Sequence, residues 1–247
     1  MSLVELSPLD LERFGVPTAK AIVKDPAEAR AAIETSRGLG ARLLMVRCPA
    51  EHLQAAQVLE ELGCRVMDVL VYYAHDLRKP PIPVDTNDVA VRGLRPEDAD
   101  RVEAVARESF KGYFGHYHAD PRVDSTLADE VYVSWAHRSC VSREVAAEVL
   151  IADDGDALLG FFTLRRNSEN EGEGVLCGVA PAAQGRGIYR SFMIRGMEWC
   201  AQQGLSSMVV STQLTNIAVQ KVWSRLGFEP QKSYLTFHKW LDYDGTK

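Results

Sequence analysis

The sequence lacks an uninterrupted apolar run long enough to span a bilayer, and residues 1–11 lack the basic-then-apolar pattern of a signal peptide. It also lacks an excess of positive charge, and the formal net charge of −6 at pH 7 argues against nucleic acid or an anionic membrane as a partner. No C-x-x-C pair occurs among the five cysteines, Cys48, Cys64, Cys140, Cys177 and Cys200. A scattered, odd set of thiols is typical of a reduced, cytoplasmic protein without disulfides or a zinc site.

The residues that are present have the composition of a globular protein, with 46% hydrophobic and 25% charged residues among 247. The clearest break is the stretch KPPIPVDTND, residues 79–88, whose prolines oppose both a helix and a central strand. We therefore predict an N-terminal domain over residues 1–78, a proline-rich linker over 79–88 and a C-terminal domain over 89–247.

The C-terminal part alternates between predicted strands and helices. Strands are predicted for VAVRGL, for EVLIADD and ALLGFFTLRR, which form a hairpin, and for GVLCGVAP, SMVVST and SYLTFHKWL. One helix opens at Pro96, a second covers about residues 188–203 and stops at Gly204, and a third follows Asn216 as its N-cap and ends at Gly227. This order predicts an α/β protein.

The last part of the chain repeats a sequence pattern that also occurs in the N-terminal part. The segment RLLMVRCPAEHLQAAQVLEELGCRVMDVLVYYAHDL aligns without a gap with SSMVVSTQLTNIAVQKVWSRLGFEPQKSYLTFHKWL, so that Leu62 falls on Leu226 and Val46 on Val210. Both segments predict a strand, a helix that ends at Leu-Gly, and a strand, which indicates a duplication. The N-terminal copy lacks a glycine-rich turn, so we expect a degenerate half-domain that packs rather than binds.

Residues 184–189, QGRGIY, which we call the cradle, lie between a predicted strand and a predicted helix. Gly185 and Gly187 let the backbone approach a ligand closely, and the first amides of a helix have no partner inside the helix. The helix dipole adds a preference for negative charge. The cradle is therefore predicted to bind an anionic group such as a phosphate.

The cradle, the strand before it and the later helix that ends in Leu-Gly-Phe together resemble the GNAT acyltransferase superfamily over residues 88–241. The stretch V-x-P-x-x-Q-G-R-G-I, residues 179–188, resembles the motif with which that superfamily holds the pyrophosphate of acyl-coenzyme A. The half-domain ahead of it is similar to that of dTDP-fucosamine acetyltransferase and related nucleotide-sugar N-acyltransferases. The resemblance implies a GNAT fold, a mixed and mostly antiparallel sheet flanked by helices, preceded by a degenerate GNAT-like half-domain.

The resemblance also implies the coenzyme-binding residues, with acetyl-CoA as the expected co-substrate and no metal. The strand before the cradle would supply backbone amides to the thioester carbonyl, Arg186 would add positive charge at the pyrophosphate, and Asn216 would touch the pantetheine arm. The residues expected at the coenzyme are Cys177, Gly178, Val179, Gln184, Gly185, Arg186, Gly187, Ile188, Tyr189, Asn216 and Trp223.

Two residues depart from the pattern of the superfamily. Tyr189 stands where glycine or alanine is usual, so its side chain must point away from the phosphates. Trp223 stands where a tyrosine often protonates the leaving thiolate, and an indole N–H cannot give up its proton at neutral pH. The sequence therefore leaves the proton donor unassigned.

The segment GYFGHYHADPR, residues 112–122, is predicted to face the acceptor, because it mixes aromatic rings, imidazoles and a carboxylate. We expect His118, or alternatively His116, to accept a proton from the acceptor amine. In an extended segment both imidazoles would face one side, where Asp120 would orient His118. The expected substrate contacts are Tyr113, Tyr117 and Asp120. The alternative is a solvated surface loop.

Two further polar residues lie on predicted strands. Glu173 occupies a position where parts of the superfamily keep a catalytic base, which makes it a further candidate. His238, inside the last strand, is expected to be a structural histidine.

We therefore expect the protein to transfer an acyl group, acetyl in the first place, from acyl-CoA to a primary amine by direct attack on the thioester. A nucleotide-linked amino sugar is the first candidate acceptor, and an aminoglycoside, a polyamine or a protein amine is the alternative. A non-catalytic acyl-CoA sensor is the competing function. The sequence leaves the oligomeric state open, with a homodimer among the alternatives.

Overall fold

The computed structural model describes residues 3–79, 81–155 and 157–241, and these residues form one ten-stranded sheet with eight α-helices. The strands are β1 (Val4–Leu6), β2 (Thr18–Ile22), β3 (Leu43–Pro49), β4 (Arg65–Asp76), β5 (Ala90–Gly93), β6 (Glu148–Asp153), β7 (Leu158–Arg166), β8 (Glu171–Val179), β9 (Ser207–Gln213) and β10 (Glu229–Trp240). The helices are α1 (Pro8–Phe14), α2 (Pro26–Gly38), α3 (Leu53–Glu61), α4 (Ala99–Ser109), α5 (His116–Ala119), α6 (Ser125–Val141), α7 (Ile188–Gln202) and α8 (Ile217–Arg225).

The strand order across the sheet is β1-β2-β3-β10-β4-β9-β8-β7-β6-β5. Most neighbouring strands are antiparallel, and the β2–β3 and β8–β9 pairs are parallel. The helices α4, α5 and α6 cover one face, where the buried side chains of Val102, Phe110 and Phe161 belong to one core. The helices α7 and α8, and separately α2 and α3, pack on the other face. Within the described residues, no helix combines the length and apolar character that a membrane span requires.

The predicted mixed, mostly antiparallel sheet flanked by helices is confirmed. The hairpin of β6 and β7, the strand before the cradle and the helix after it all lie where the sequence predicted them. Helix α4 buries Val102, Val105 and Ala106, which lie on one side of the helix. Helix α7 ends before Gly204, whose φ of +73° is easy for glycine and costly for other residues.

The predicted repeat is confirmed element by element, because β3, α3 and β4 coincide with β9, α8 and β10 in the ungapped alignment. The two copies exchange their last strands. Strand β10 pairs with β3 of the other copy, β4 pairs with β9, and β4 and β10 lie side by side. Leu70 pairs with Tyr234, and these two residues are equivalent in the alignment. The exchange therefore follows an approximate twofold axis between β4 and β10.

Because of this exchange, strands from both parts of the chain belong to one hydrogen-bonded sheet. The division into residues 1–78, 79–88 and 89–247 stays a prediction. Pro80 of the predicted linker lies outside the described residues. Further along the linker, the Asp85 carboxylate accepts a hydrogen bond of 3.0 Å from the Ser191 hydroxyl. This part of the linker is therefore fixed to α7.

Candidate active site

A gap opens in the middle of the sheet between the two parallel strands β8 and β9. They pair from Glu171–Ser207 to Gly174–Val210, and no further pairs follow. Beyond this point β8 stays with β7 and β9 stays with β4. A bulge at Val175, opposite the step between Thr163 and Leu164, bends β8 where the strands part. Residues 175–179 thus present one backbone edge that faces no neighbouring strand.

The cradle lies at the end of β8 and leads into α7. Gly185 and Gly187 have φ values of +80° and +78°, a region that residues with a side chain rarely adopt. Within the described residues, the backbone amides of residues 185–189 have no acceptor. A strand edge without a partner and a row of free amides fit an extended molecule with a carbonyl group and a phosphate group. The cradle can therefore accept an anionic group, and its binding of acyl-CoA stays a prediction.

The linker supports the cradle from outside. The side-chain amide of Asn87 donates a hydrogen bond of 2.8 Å to the carbonyl of Arg186. A Cβ atom added at Gly187 would lie 2.9 Å from Asn87 Nδ2, so a side chain there would displace this contact. The Arg186 guanidinium remains at the surface, 3.8 Å from Asp154. Nothing in the composition of the linker indicated this supporting role.

The other residues predicted at the coenzyme divide into accessible and buried groups. Cys177 and Val179 are partly buried beside the gap, and burial raises the pKa of the Cys177 thiol, which therefore stays protonated. The side chains of Ile188 and Trp223 are each only 1% exposed. Ile188 can therefore offer only its amide, and a contact of Trp223 with the coenzyme stays a prediction.

Asn216 stands at the N-cap position of α8 as predicted, but its side chain does not cap the helix. Its amide nitrogen instead donates to the Thr212 hydroxyl at 3.1 Å. This contact ties the start of α8 to β9 at the edge of the gap. A role for Asn216 at the pantetheine arm stays a prediction.

The acceptor segment differs from its prediction, because residues 116–119 form the short helix α5 rather than an extended strand. His116 and His118 therefore point in different directions. His118 Nδ1 accepts from the amide of Gly115 at 3.3 Å, and its Nε2 lies 3.0 Å from Asp129 Oδ1. The prediction that Asp120 orients His118 is wrong, since Asp129 of α6 does so.

Asp120 belongs to a chain of three side chains that ends at His116. Its carboxylate lies 2.8 Å from His238 Nδ1, and His238 Nε2 lies 3.0 Å from His116 Nδ1. The indole of Trp240 also donates to Asp120, at 2.9 Å. Burial alone would raise the pKa of Asp120, but the hydrogen bonds from His238, the Arg122 amide and Trp240 lower it. His238 is a structural histidine, as predicted, and it links a buried carboxylate to His116.

Two predicted site residues are already engaged elsewhere. Tyr117 is 6% exposed, and its hydroxyl donates to Asp10 at 2.9 Å, so the structure places it in the core rather than against a substrate. Glu173 is 6% exposed and accepts two hydrogen bonds from Arg165, at 2.9 and 2.5 Å. The ion pair leaves Glu173 poorly placed to act as a base. Asp120 is likewise buried and does not face a substrate.

Tyr113 remains at the acceptor side of the gap, where its hydroxyl donates to Gln213 of β9. Burial raises the pKa of Tyr113 to about 12, and the charge of the nearby Asp68, on β4, contributes to this rise. Within the described residues, neither carboxylate oxygen of Asp68 has a hydrogen-bond partner, although both are buried. The buried hydroxyl of Thr236, which pairs with Asp68 across the strands, is unpartnered too.

Arg47 of β3 lies opposite Thr236 and is exposed. It contacts the hydroxyl of Tyr72 at 3.4 Å, and no carboxylate of the described residues lies within ion-pair distance of it. Sequence reasoning missed both Asp68 and Arg47, because it assigned the N-terminal copy to packing alone. The strand exchange is what brings them to the acceptor segment.

Comparison with known proteins agrees with this fold. Residues 106–228 match the model of the acetyltransferase (GNAT) family. Through these residues, the chain belongs to the GNAT acetyltransferase family.

Two curated relatives and one solved structure illustrate the similarity. The spore coat polysaccharide biosynthesis protein SpsD of Bacillus subtilis is 25% identical over 80% of this chain and 66% of its own length. A mycothiol acetyltransferase of Actinosynnema mirum is 30% identical over 72% of this chain and 58% of its own. The chain thus spans roughly three fifths of these relatives. A GCN5-related N-acetyltransferase of Sphaerobacter thermophilus, 16% identical, superposes over 96% of this chain and 76% of its own with a TM-score of 0.63, which shows the shared fold.

Proposed function

We propose that the protein transfers an acyl group, acetyl in the first place, from acyl-CoA to a primary amine. The observation that carries this proposal is the gap between β8 and β9, which opens beside the free amides of the cradle. An open strand edge can donate N–H groups to a thioester carbonyl, and the cradle can hold a pyrophosphate. Both features suit one extended donor molecule, and membership of the GNAT family supports the reaction class.

Direct transfer requires that the amine lose a proton, and we assign His116 as the group that accepts it. The carboxylate of Asp120 can only accept, so His238 carries its proton on Nδ1 and its Nε2 accepts from His116 Nδ1–H. These tautomers of His238 and His116, which are assigned from the hydrogen-bond chain, leave a lone pair on His116 Nε2. Within the described residues, Nε2 of His116 has no hydrogen-bond partner.

The charge state of His116 fits this role. Burial, followed by the positive groups around it, lowers the pKa of His116 well below its usual value of 6.5. The imidazole is therefore neutral at pH 7. An amine nitrogen that has attacked a carbonyl carries a strongly acidic proton, which even a weakly basic imidazole can accept. We place His118 outside the reaction, because both of its ring nitrogens are engaged.

For the acceptor we propose a nucleotide-linked amino sugar. The unpartnered carboxylate of Asp68 suits an ammonium or hydroxyl group, since a buried charge is stable only when it is paired. Arg47, whose charge acts on His116, suits a phosphate group. Positive groups at this place disfavour a polyamine or an aminoglycoside. The name of the relative SpsD, which refers to polysaccharide biosynthesis, supports a sugar.

The test is acetyl transfer to a panel of amines: nucleotide-linked amino sugars, free amino sugars, a polyamine and a lysine peptide. We expect coenzyme A thiol release that depends on the amine, a product heavier by one acetyl group, and the highest rate with a nucleotide-linked sugar. Tight acetyl-CoA binding without release for any amine would contradict the proposal and favour the sensor. A highest rate with the polyamine would contradict the acceptor class.

A further inference from the structure

The two residues that depart from the superfamily's pattern meet in space. The indole N–H of Trp223, on α8, donates a hydrogen bond of 2.9 Å to the hydroxyl oxygen of Tyr189, in the first turn of α7. A phenol has one proton to donate, and an indole has no acceptor for it. The proton of the Tyr189 hydroxyl must therefore point away from Trp223.

Trp223 holds this geometry rigidly. Its side chain is 1% exposed, and its ring packs against the ring of Tyr73 with a centroid distance of 5.3 Å. A buried, packed indole cannot swing aside, so the oxygen of Tyr189 has a fixed donor on one side.

Tyr189 also packs in one core with Cys177 and Val179, the β8 residues beside the gap. The Cys177 thiol, on the β8 edge that faces no strand, acts on the Tyr189 hydroxyl and adds to the effect of burial in raising its pKa well above the usual value. The hydrogen bond from Trp223 acts in the opposite direction. Tyr189 therefore keeps its proton at neutral pH, while Trp223 stabilises the phenolate that forms when the proton leaves.

We propose that Tyr189 is the general acid that protonates the sulfur of coenzyme A as it leaves, and that Trp223 positions it. This inference rests on the proposed acyl transfer. When the carbon–sulfur bond breaks, its electron pair goes to sulfur, and sulfur takes the proton from the Tyr189 oxygen. The phenolate, held by the indole N–H, regains a proton from the one released by the acceptor amine through solvent. The sum is an amide and a free thiol, with no other reactant.

The assignment explains why a cradle position carries a large side chain. The amide of Tyr189 is one of the free amides, while its side chain packs beneath the cradle against the core that contains Trp223. One residue can thus serve the pyrophosphate through its backbone and the thioester through its hydroxyl.

The experiment compares Tyr189→Phe, Trp223→Phe and the double variant with the wild type, once amine-dependent thiol release has been established for the wild type. We expect Tyr189→Phe to lower kcat about 100-fold or more, with the KM and the calorimetric Kd of acetyl-CoA unchanged. Trp223→Phe is expected to lower kcat about tenfold, and the double variant to be no slower than Tyr189→Phe, because Trp223 acts through Tyr189.

The matched control is Tyr73→Phe, which removes a hydroxyl from the other tyrosine beside Trp223; that hydroxyl contacts Gln220 at 3.4 Å. It should keep kcat within about twofold of the wild type, because a single long hydrogen bond away from the Tyr189 hydroxyl is lost. If the wild type is active and the kcat of Tyr189→Phe lies within threefold of it, the acid role of Tyr189 is overturned while the proposed acyl transfer stands. The same conclusion follows if the kcat losses of the two single variants add up in the double variant. Should Tyr189→Phe fail to fold, an unchanged kcat in Trp223→Phe would overturn it. A wild type that binds acetyl-CoA and releases no thiol contradicts the proposed function itself.

Discussion

Replacing Gly187 by alanine tests the cradle with a single methyl group. The residue has a φ of +78°, and the new Cβ would lie 2.9 Å from Asn87 Nδ2. The methyl group must push Asn87 away, which releases the carbonyl of Arg186 from its hydrogen bond of 2.8 Å. The amides that follow would then lose their common direction.

Gly204 provides the matched control, because it lies at the other end of the same helix with a φ of +73° and no atom within 4 Å of an added Cβ. Alanine in the left-handed region costs about 1–2 kcal/mol at either position. Each variant should therefore lose a similar free energy of unfolding and about 2–8 °C in Tm. Only Gly187→Ala should in addition lose contacts to the pyrophosphate.

The size of the binding loss follows from the amides. A hydrogen bond to a charged group contributes about 1.5–3 kcal/mol, so the loss of one bond weakens binding about 10- to 150-fold. Isothermal titration with coenzyme A should show this increase in Kd for Gly187→Ala and less than about a twofold change for Gly204→Ala. An unchanged Kd in a folded Gly187→Ala, or equal weakening in both variants, would refute the role of the cradle.

Three further predictions concern the acceptor side and the N-terminal copy. Asp68→Asn should raise the KM of the acceptor about 10- to 100-fold without changing the Kd of acetyl-CoA, whereas Asp129→Asn should change neither; equal KM effects would contradict a substrate contact for Asp68. The pKa of His116 is lowered in the folded state, so as the pH falls below about 6.5 the unfolded state binds a proton at His116 before the folded state does, and the Tm should drop. His116→Gln should flatten this drop in Tm and also lower kcat. A variant that does neither would contradict the role of His116 as the proton acceptor. Calorimetry should count one coenzyme A per chain, and two equivalent sites would contradict a degenerate N-terminal copy.

The element order and the repeat could be predicted from the sequence because both are recorded in local patterns. Alternation, helical spacing and the stops at Gly204 and Gly227 fix where the elements begin and end. The ungapped register fixes the equivalence of the two copies. Which strand pairs with which is a different matter, since β4 and β10 have equivalent patterns and either could pair with β3 or with β9. The exchange therefore appears only in the structure.

The coenzyme side of the site was more predictable than the acceptor side, because it depends on a local motif and the acceptor side depends on contacts between distant residues. Gly185 and Gly187 form a local motif whose geometry follows from their backbone freedom. The partners of His116 lie on β10 and after α5, and the unpaired Asp68 lies on β4. These contacts join distant parts of the chain, and no spacing in the sequence connects them.

The extended conformation predicted for the acceptor segment failed for a physical reason. Gly115 and Asp120 bound a single helical turn, and the amide of Gly115 is bonded to His118 Nδ1. A turn this short leaves no periodic pattern. In the same way, Tyr189 and Trp223 stood out as two separate departures, and only their hydrogen bond of 2.9 Å shows that they belong together.

The decisive experiment is a crystal structure with bound coenzyme A. We expect pyrophosphate oxygens within hydrogen-bond distance of the amides of residues 185–189, the pantetheine arm in the gap between β8 and β9, and the thiol next to the Tyr189 hydroxyl. A coenzyme bound against the N-terminal copy, or one whose thiol lies outside the gap, would contradict this expectation.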